Sequence, residues 1–201
     1  MDVHRVTAEE VDAAADTIAQ AFRGDPVWRV ALDADNASAA DLRAFWRFCV
    51  EGARGHGTAF AGPDTGTVSI WVPPGEDELS EEQEHEALLL VERMLPARLA
   101  AAMAELWDRF DRERPRDRPH AYLSLLATRP DRAGHGSGMA HLAADLRRWD
   151  DADVPTYLES TNPRNDSRYE RQGYAAIGRF EAVLDRSVVT TMWRPVSRPT
   201  P

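Results

Sequence analysis

The sequence predicts a single α/β domain over residues 1–201, built on a mixed sheet, and three observations carry that prediction. From His120 onward, apolar runs of strand length alternate with helical stripes. The chain then closes on two more strand-like runs spaced as a hairpin. Finally, 201 residues at 43% hydrophobic content suit one core, and no Ser/Gly-rich linker or internal repeat divides them.

Taken in order, His4 to Val6 reads as a short strand. Thr7 followed by Glu10 has capping-box spacing, and Val11, Ala14, Ala15, Ile18 and Phe22 then form a helical stripe that Asp25-Pro26 ends. A second helix is expected from about Ala39 to Arg54. Glycines at 55, 57, 62 and 66 bracket strands near Thr58–Ala61 and Thr67–Val72, an expected hairpin that Pro73-Pro74-Gly75 terminates. Ser80 with Gln83 opens a long helical region, interrupted at Pro96 and reaching about Arg112; its acidic beginning, Glu76 to Glu86, reads as a solvated first turn favoured by the helix dipole. Beyond a charged, proline-broken loop come strand His120–Thr128, helix Gly138–Trp149, strand Thr156–Glu159, helix Arg164–Gln172, and strands at about Tyr174–Leu184 and Ser187–Arg194.

Composition narrows the function. With 24 basic against 34 acidic residues the formal charge is −10, which disfavours a nucleic-acid or anionic-membrane partner and suits a cationic substrate. The single cysteine, Cys49, excludes an intramolecular disulfide and Cys-rich metal sites, so no metal is expected; in an apolar stretch it reads as a buried, inert thiol. No run reaches the roughly 18 apolar residues of a membrane span, and MDVHRVTAEEVD lacks a signal pattern, so a cytoplasmic location is expected. Every basic residue is Arg, which removes Schiff-base chemistry and a Walker-type phosphate lysine.

The most informative segment is AYLSLLATRPDRAGHGSGMAHLAADLRRW. An apolar strand ends at Thr128, and Gly134, Gly136 and Gly138 lead directly into a helix. Alternate glycines let backbone N–H groups converge on an anion, with the helix N-terminus adding partial positive charge; such a loop suits phosphate or pyrophosphate. A P-loop is excluded by the missing Lys. A Rossmann loop would need G-x-G-x-x-G in the first βα unit, whereas here the spacing is G-x-G-x-G deep in the chain. A coenzyme A site and a ligand-free turn remain.

Residues 121–178, with Val154-Pro155-Thr156-Tyr157-Leu158-Glu159-Ser160, Pro163-Arg164-Asn165 and Tyr169-Glu170-Arg171-Gln172-Gly173 following the glycine loop, resemble the GNAT superfamily of acetyl-CoA-dependent N-acetyltransferases. Within it the chain looks most like the actinobacterial group that includes puromycin N-acetyltransferase. The resemblance implies the GNAT fold: a mixed, mostly antiparallel, twisted sheet of about seven strands flanked by helices. It implies acetyl-CoA as the cofactor, with the backbone of Ala133, Gly134, His135, Gly136, Ser137 and Gly138 on the CoA phosphates. Leu126, Ala127 and Thr128 match the splayed strand end that pairs with the pantetheine arm, and Leu126 or a neighbour would offer an N–H to the thioester carbonyl. Asn165, with Asn162 as a second candidate, matches the asparagine that steadies the cofactor. Tyr169 matches the tyrosine that protonates the departing thiolate. Two positions depart from the family pattern: Ala133 stands where Gln or Arg is usual, with Arg132 or His135 as compensation, and Tyr174 where Phe is usual.

The general base is less determined. Glu159 faces the expected site if its strand register is right, and a one-residue slip turns it away. His120 lies early on its strand, His135 in the phosphate loop, and Ser124 reads as a strand residue. The first two helices and the terminal hairpin should form the acceptor pocket, with Phe22, Trp28, Phe45, Trp46 and Trp71 as walls. The expected reaction is direct attack of a small-molecule primary amine, such as an aminonucleoside or another antibiotic, in a ternary complex, since Cys49 is remote from the motif in sequence. A protein or peptide acceptor, a non-catalytic acyl-CoA sensor, a chance-matched nucleotide-binding domain, and a monomer or homodimer all stay open.

Overall fold

The structure, a computed structural model, describes residues 2–197. One seven-stranded sheet holds β1 (His4–Arg5), β2 (Ala59–Ala61), β3 (Thr67–Val72), β4 (Ala121–Thr128), β5 (Thr156–Ser160), β6 (Ala175–Glu181) and β7 (Val188–Arg194), in the order β1-β2-β3-β4-β5-β7-β6. Every adjacent pair is antiparallel except β4–β5, which is parallel. The helices are α1 (Val11–Phe22), α2 (Pro26–Ala31), α3 (Ala39–Gly55), α4 (Glu81–Met94), α5 (Ala97–Glu113), α6 (Ser137–Asp151) and the short α7 (Asp166–Glu170). The α/β class, the mixed sheet and the strand count match the expectation.

Side-chain caps start α2, α3 and α4, and a capping box opens the single 3-10 turn Ala8–Glu10 that leads into α1. Glu10 accepts the Thr7 N–H at 3.0 Å, the Ser38 hydroxyl caps α3, and Ser80 with Gln83 forms the reciprocal box of α4. Asp25-Pro26 corrects the expectation. Instead of only ending a helix it starts another, because Asp25 accepts the N–H groups of Val27 and Trp28 while Pro26 takes the first helical position, where its missing N–H costs nothing.

Two layers cover the sheet. One apolar cluster joins α1, α3, α4 and α5 to Val68, Ile70, Leu125 and Ala127. On the other face, α6 packs Leu142 and Leu146 on Trp71, Leu123, Leu158 and Met192. Odd-numbered residues of β4 change faces between Leu123 and Leu125. The register explains it: Trp71 opposes Leu123 and Ile70 opposes Leu125, leaving Ser124 as the extra residue of a bulge. After that bulge, β4 leaves β5, whose pairing with it ends at Leu123–Leu158. A V-shaped gap opens in the middle of the sheet.

Behind α6 lies a closed polar cluster. Asp145 accepts the Ser69 hydroxyl at 2.6 Å, the Trp71 indole N–H at 3.1 Å and an Arg148 N–H at 2.5 Å, while the His141 ring lies 3.0 Å from Ser69. Burial, then the Arg148 charge, push His141 down to about 4, so the ring is neutral. The cluster ties α6 to β3.

Candidate active site

A single cleft of about 1530 Å³ runs from the glycine loop through the gap between β4 and β5 to the aromatic ends of α2, α3 and α5. Its first half is mostly backbone. The Arg129 N–H donates to Gly66 at 2.9 Å, and the register Val68–Ala127 continues that ladder. Period two then commits the N–H and C=O of Leu125 and Ala127 to β3 and turns those of Leu126 and Thr128 toward the gap, where β5 no longer pairs. Leu126 and Thr128 therefore line the cleft, whereas Ala127 spends its backbone on β3 and buries its side chain at 1% exposure.

Helix α6 starts at the end of this gap. Gly134 and Gly136 take φ of +85° and +79°, which bends the loop so that the first N–H groups of α6, free of intrahelical partners, face outward and can receive a phosphate. Gly138 allows the approach: a Cβ there would lie 2.7 Å from the Thr128 hydroxyl. Ala133, Gly134, Gly136, Ser137 and Gly138 all line the cleft, although the Ala133 N–H is already given to Pro130 at 3.2 Å. His135 is exposed and outside the lining. Asn165 and Asn162 both reach the cleft; Asn165 accepts from Arg168 at 3.1 Å, and Asn162 caps its turn by accepting the Arg164 N–H at 3.2 Å. Tyr169 faces the cleft from α7, 9% exposed and edge-on to Tyr174 at 6.1 Å. Burial, and then the charges of Asp25 and Asp166, raise its pKa, so the phenol keeps its proton.

The second half is made of side chains. On β5, Glu159 shares a face with Tyr157, while Leu158 points to α6. Both Glu159 carboxylate oxygens are buried with no hydrogen-bond partner, and the residue lines the cleft. Burial pushes this carboxyl up to about 7, the charge of Glu78 adding to the rise while Tyr122, Tyr157 and Arg114 oppose it. A carboxylate poised near neutrality can take a proton from an ammonium group. Arg114 lies with its guanidinium 4.3 Å over the Tyr122 ring.

Among the cleft residues that sequence reasoning missed, with Asp25, Trp107, Phe110 and Arg114, is Glu78. It sits in the acidic run read as a solvated turn, yet its carboxylate turns inward to accept the Ser124 hydroxyl beside Cys49. That crossing requires Gly52, since a Cβ there would stand 2.2 Å from the Glu78 carbonyl oxygen. Burial raises the Glu78 pKa. Cys49, remote in sequence, also lines the cleft; burial and the Glu78 charge keep its thiol protonated, which agrees with an inert role. Asp25 is a further member, half-buried and joined to Thr161 at 2.7 Å.

The expected aromatic walls divide. Phe22, Trp28, Phe45 and Trp46 line the cleft, joined by Trp107 and Phe110 of α5; Trp28 stacks on Phe110 at 5.8 Å and Phe45 on Trp107 at 5.9 Å. Trp71 is instead wholly buried on the α6 face, bound to Asp145. The terminal hairpin contributes no wall; α5, the 76–80 loop and the first turn of α4 take that place. His120 lies apart from the cleft, packed on Tyr157 and Trp193. Among the described residues no helix is long and apolar enough to cross a membrane, and no cluster of His, Cys, Asp and Glu could hold a metal.

No family model matches the chain. Solved structures do. A protein described as histone acetyltransferase HPA2 and related acetyltransferase from Corynebacterium glutamicum superposes with a TM-score of 0.68 at 22% identity, covering 99% of this chain and 98% of that one. A mosquito arylalkylamine N-acetyltransferase-like protein gives 0.65 at 15% identity over 96% and 99%. Arylalkylamine N-acetyltransferase 2 from Aedes aegypti gives 0.66 at 8% identity over 98% and 99%. At such identities the likeness concerns architecture, and over essentially its whole length this chain has the fold of the GNAT acetyltransferases.

Proposed function

We propose that this protein is an acetyl-CoA-dependent N-acetyltransferase acting on a small-molecule primary amine with an apolar, aromatic-compatible body. The observation that carries the reading is the continuity of the cleft: free backbone groups of Leu126 and Thr128 and the N-terminus of α6 at one end, the unpartnered Glu159 carboxylate at the other. The glycine loop and the gap in the sheet fit CoA, whose pyrophosphate needs convergent N–H groups and whose pantetheine arm needs an unpaired strand edge. Bound acetyl-CoA would supply the acetyl thioester.

Each residue then has one task. Glu159, ionised above about 7, removes the proton from the incoming ammonium and leaves a neutral nucleophile. The Leu126 N–H donates to the carbonyl oxygen as negative charge gathers there. With acetyl-CoA bound, Tyr169 would hold the proton for the departing thiolate, and the proton left on the new amide nitrogen would restore the Tyr169 phenol. Cys49 stays a thiol and takes no acetyl group. The resemblance to the puromycin N-acetyltransferase group and the wall of Trp28, Phe45, Trp107 and Phe110 support an aminonucleoside or another antibiotic as the acceptor, and the arylalkylamine acetyltransferases among the structural neighbours support an aromatic amine.

Calorimetric titration with acetyl-CoA, followed by thiol release against a panel of amines that includes puromycin, tests this. Saturable binding with amine-dependent release is the expected result. Binding without release on any amine or peptide would leave an acyl-CoA sensor, release on peptides alone would replace the small acceptor with a protein, and no binding would end the reading.

A further inference from the structure

Two carboxylates meet where the β4–β5 pairing ends. Leu123–Leu158 is the last pair of that ladder, and the next residues on the two strands are Ser124, in the bulge, and Glu159. Ser124 donates its hydroxyl to Glu78, so the loop before α4 delivers a second carboxylate to the same apex, and both acids line the cleft. The groups around Glu159 come from every neighbouring element: Tyr122 from β4, Tyr157 from β5, Arg114 from the end of α5 and Glu78 from the loop. Glu78 in turn meets Ser124, Arg114 and Cys49 of α3. Burial keeps both phenols and the thiol protonated, and Arg114 stays charged. Arg114 lies over the Tyr122 ring, and among the described residues it forms no ion pair with either carboxylate. Of these groups only the two carboxyls change charge near neutrality. Only Glu78 accepts a hydrogen bond that favours its charged form.

We propose that Glu78 is a positioning residue for the base: fixed by Ser124 at the apex of the gap, it holds a negative charge beside Glu159 and so strengthens Glu159 as the acceptor of the ammonium proton. This rests on the N-acetyltransferase reading and adds to it a second carboxylate that touches no reacting atom. Two carboxylates at one apex resist ionising together, so Glu159 gives up its proton less readily than a lone carboxyl would. When Glu159 takes the ammonium's proton, the electron pair of that N–H bond stays on nitrogen, and the repulsion between the carboxylates is relieved. That relief favours the transfer.

Glutamate labelled with carbon-13 at the side-chain carboxyl reports the pair directly by NMR, in the whole protein without substrate. The resonance that Glu159→Gln abolishes should titrate at about 7 in the native protein. In Glu78→Gln, whose amide oxygen still accepts from Ser124, it should titrate at lower pH. Ser124→Ala should move it the same way, because an untied Glu78 carboxyl takes up a proton more readily. Thiol release should follow: the ratio of turnover at about pH 6 to that at about pH 8.5 should rise roughly threefold or more in Glu78→Gln, while the plateau falls with the weaker base. A purely structural role would lower stability and leave the Glu159 resonance where it is. A titration unmoved, or moved to higher pH, in either folded variant overturns the proposal; if Glu78→Gln does not fold, Ser124→Ala decides it. Failure of the enzyme reading appears separately, as no acetyl-CoA binding or as a shifted resonance with no thiol release on any amine or peptide.

Discussion

Two polar clusters of similar chemistry lie on opposite faces of the sheet, and their difference shows what makes a site. Behind α6, Ser69, His141 and Asp145 have the residue types of a hydrolytic triad, but all three are at 0% exposure, both Asp145 oxygens are occupied, and the histidine is held neutral. His141 Nδ1 has no hydrogen-bond partner, but the cluster is closed off from the cleft and from solvent; it is a clamp between α6 and β3. On the other face, Glu159, Glu78 and Arg114 border a large cleft, and Glu159 has two oxygens with no partner. Residue identity does not separate the clusters. Access does: each cluster holds a buried polar atom without a partner, and only that of Glu159 borders the cleft.

Substitutions on each side would break or sharpen that contrast. The largest expected effect is Glu159→Gln: turnover should fall by about 10³-fold, roughly 4 kcal/mol, while acetyl-CoA still titrates with unchanged stoichiometry. Turnover of the native protein should rise with pH through about 7 as this carboxyl ionises. A pH profile that stays flat from 5 to 9 would take the proton-accepting role away from it. On the clamp side, Asp145→Ala strands Ser69, Trp71 and Arg148 and should cost about 3 kcal/mol of stability in denaturant unfolding, with turnover at low temperature close to native. Lost turnover in a folded Asp145→Ala protein would mean that the clamp does chemistry.

Tyr169→Phe should slow thiol release about 10²-fold without weakening acetyl-CoA binding, because a phenyl ring keeps the packing against Tyr174. Glu159→Gln should also have the opposite sign in stability. The folded state holds a proton on Glu159 between the ordinary 4.5 and about 7, so native stability declines as pH rises through that window. The glutamine variant should therefore be more stable than the native protein by about 3 kcal/mol near pH 8, with the advantage vanishing below about pH 4.5. Equal melting profiles at both pH values would contradict the burial of this carboxylate. The smallest effect is Gly138→Ala, whose Cβ would displace the Thr128 hydroxyl; a KM for acetyl-CoA raised several-fold, about 1 kcal/mol, with kcat held, is the expected split.

The glycine-loop half of the cleft was legible because its determinants are contiguous. A strand end, a proline, three alternating glycines and a helix start all fall between Ala121 and Trp149, and loop conformation there depends on local φ. Glu159 was legible only conditionally, since a period-two strand with an unknown register offers either face. Glu78 was not, because an acidic residue before a capped helix is normally solvated, and only the close pass of the 76–80 loop over Gly52 turns it inward. Trp71 shows the same limit in reverse. An aromatic in a strand can line a pocket or plug a core, and the side of the sheet on which α6 packs decided which.

The order of residues by itself determined what short-range physics controls: the capped helices, the short strands, the glycine turn that leads into α6 and the net negative charge. Tertiary structure alone decided that the bulge at Ser124 would free Leu126 and Thr128 from β5, and that α5, not the terminal hairpin, would wall the acceptor end. It also decided that one carboxylate among the 34 acidic residues would be buried in the cleft without a partner. Those outcomes depend on contacts between segments far apart in the chain, where register, twist and packing volume choose among arrangements that local preferences leave nearly equal in energy.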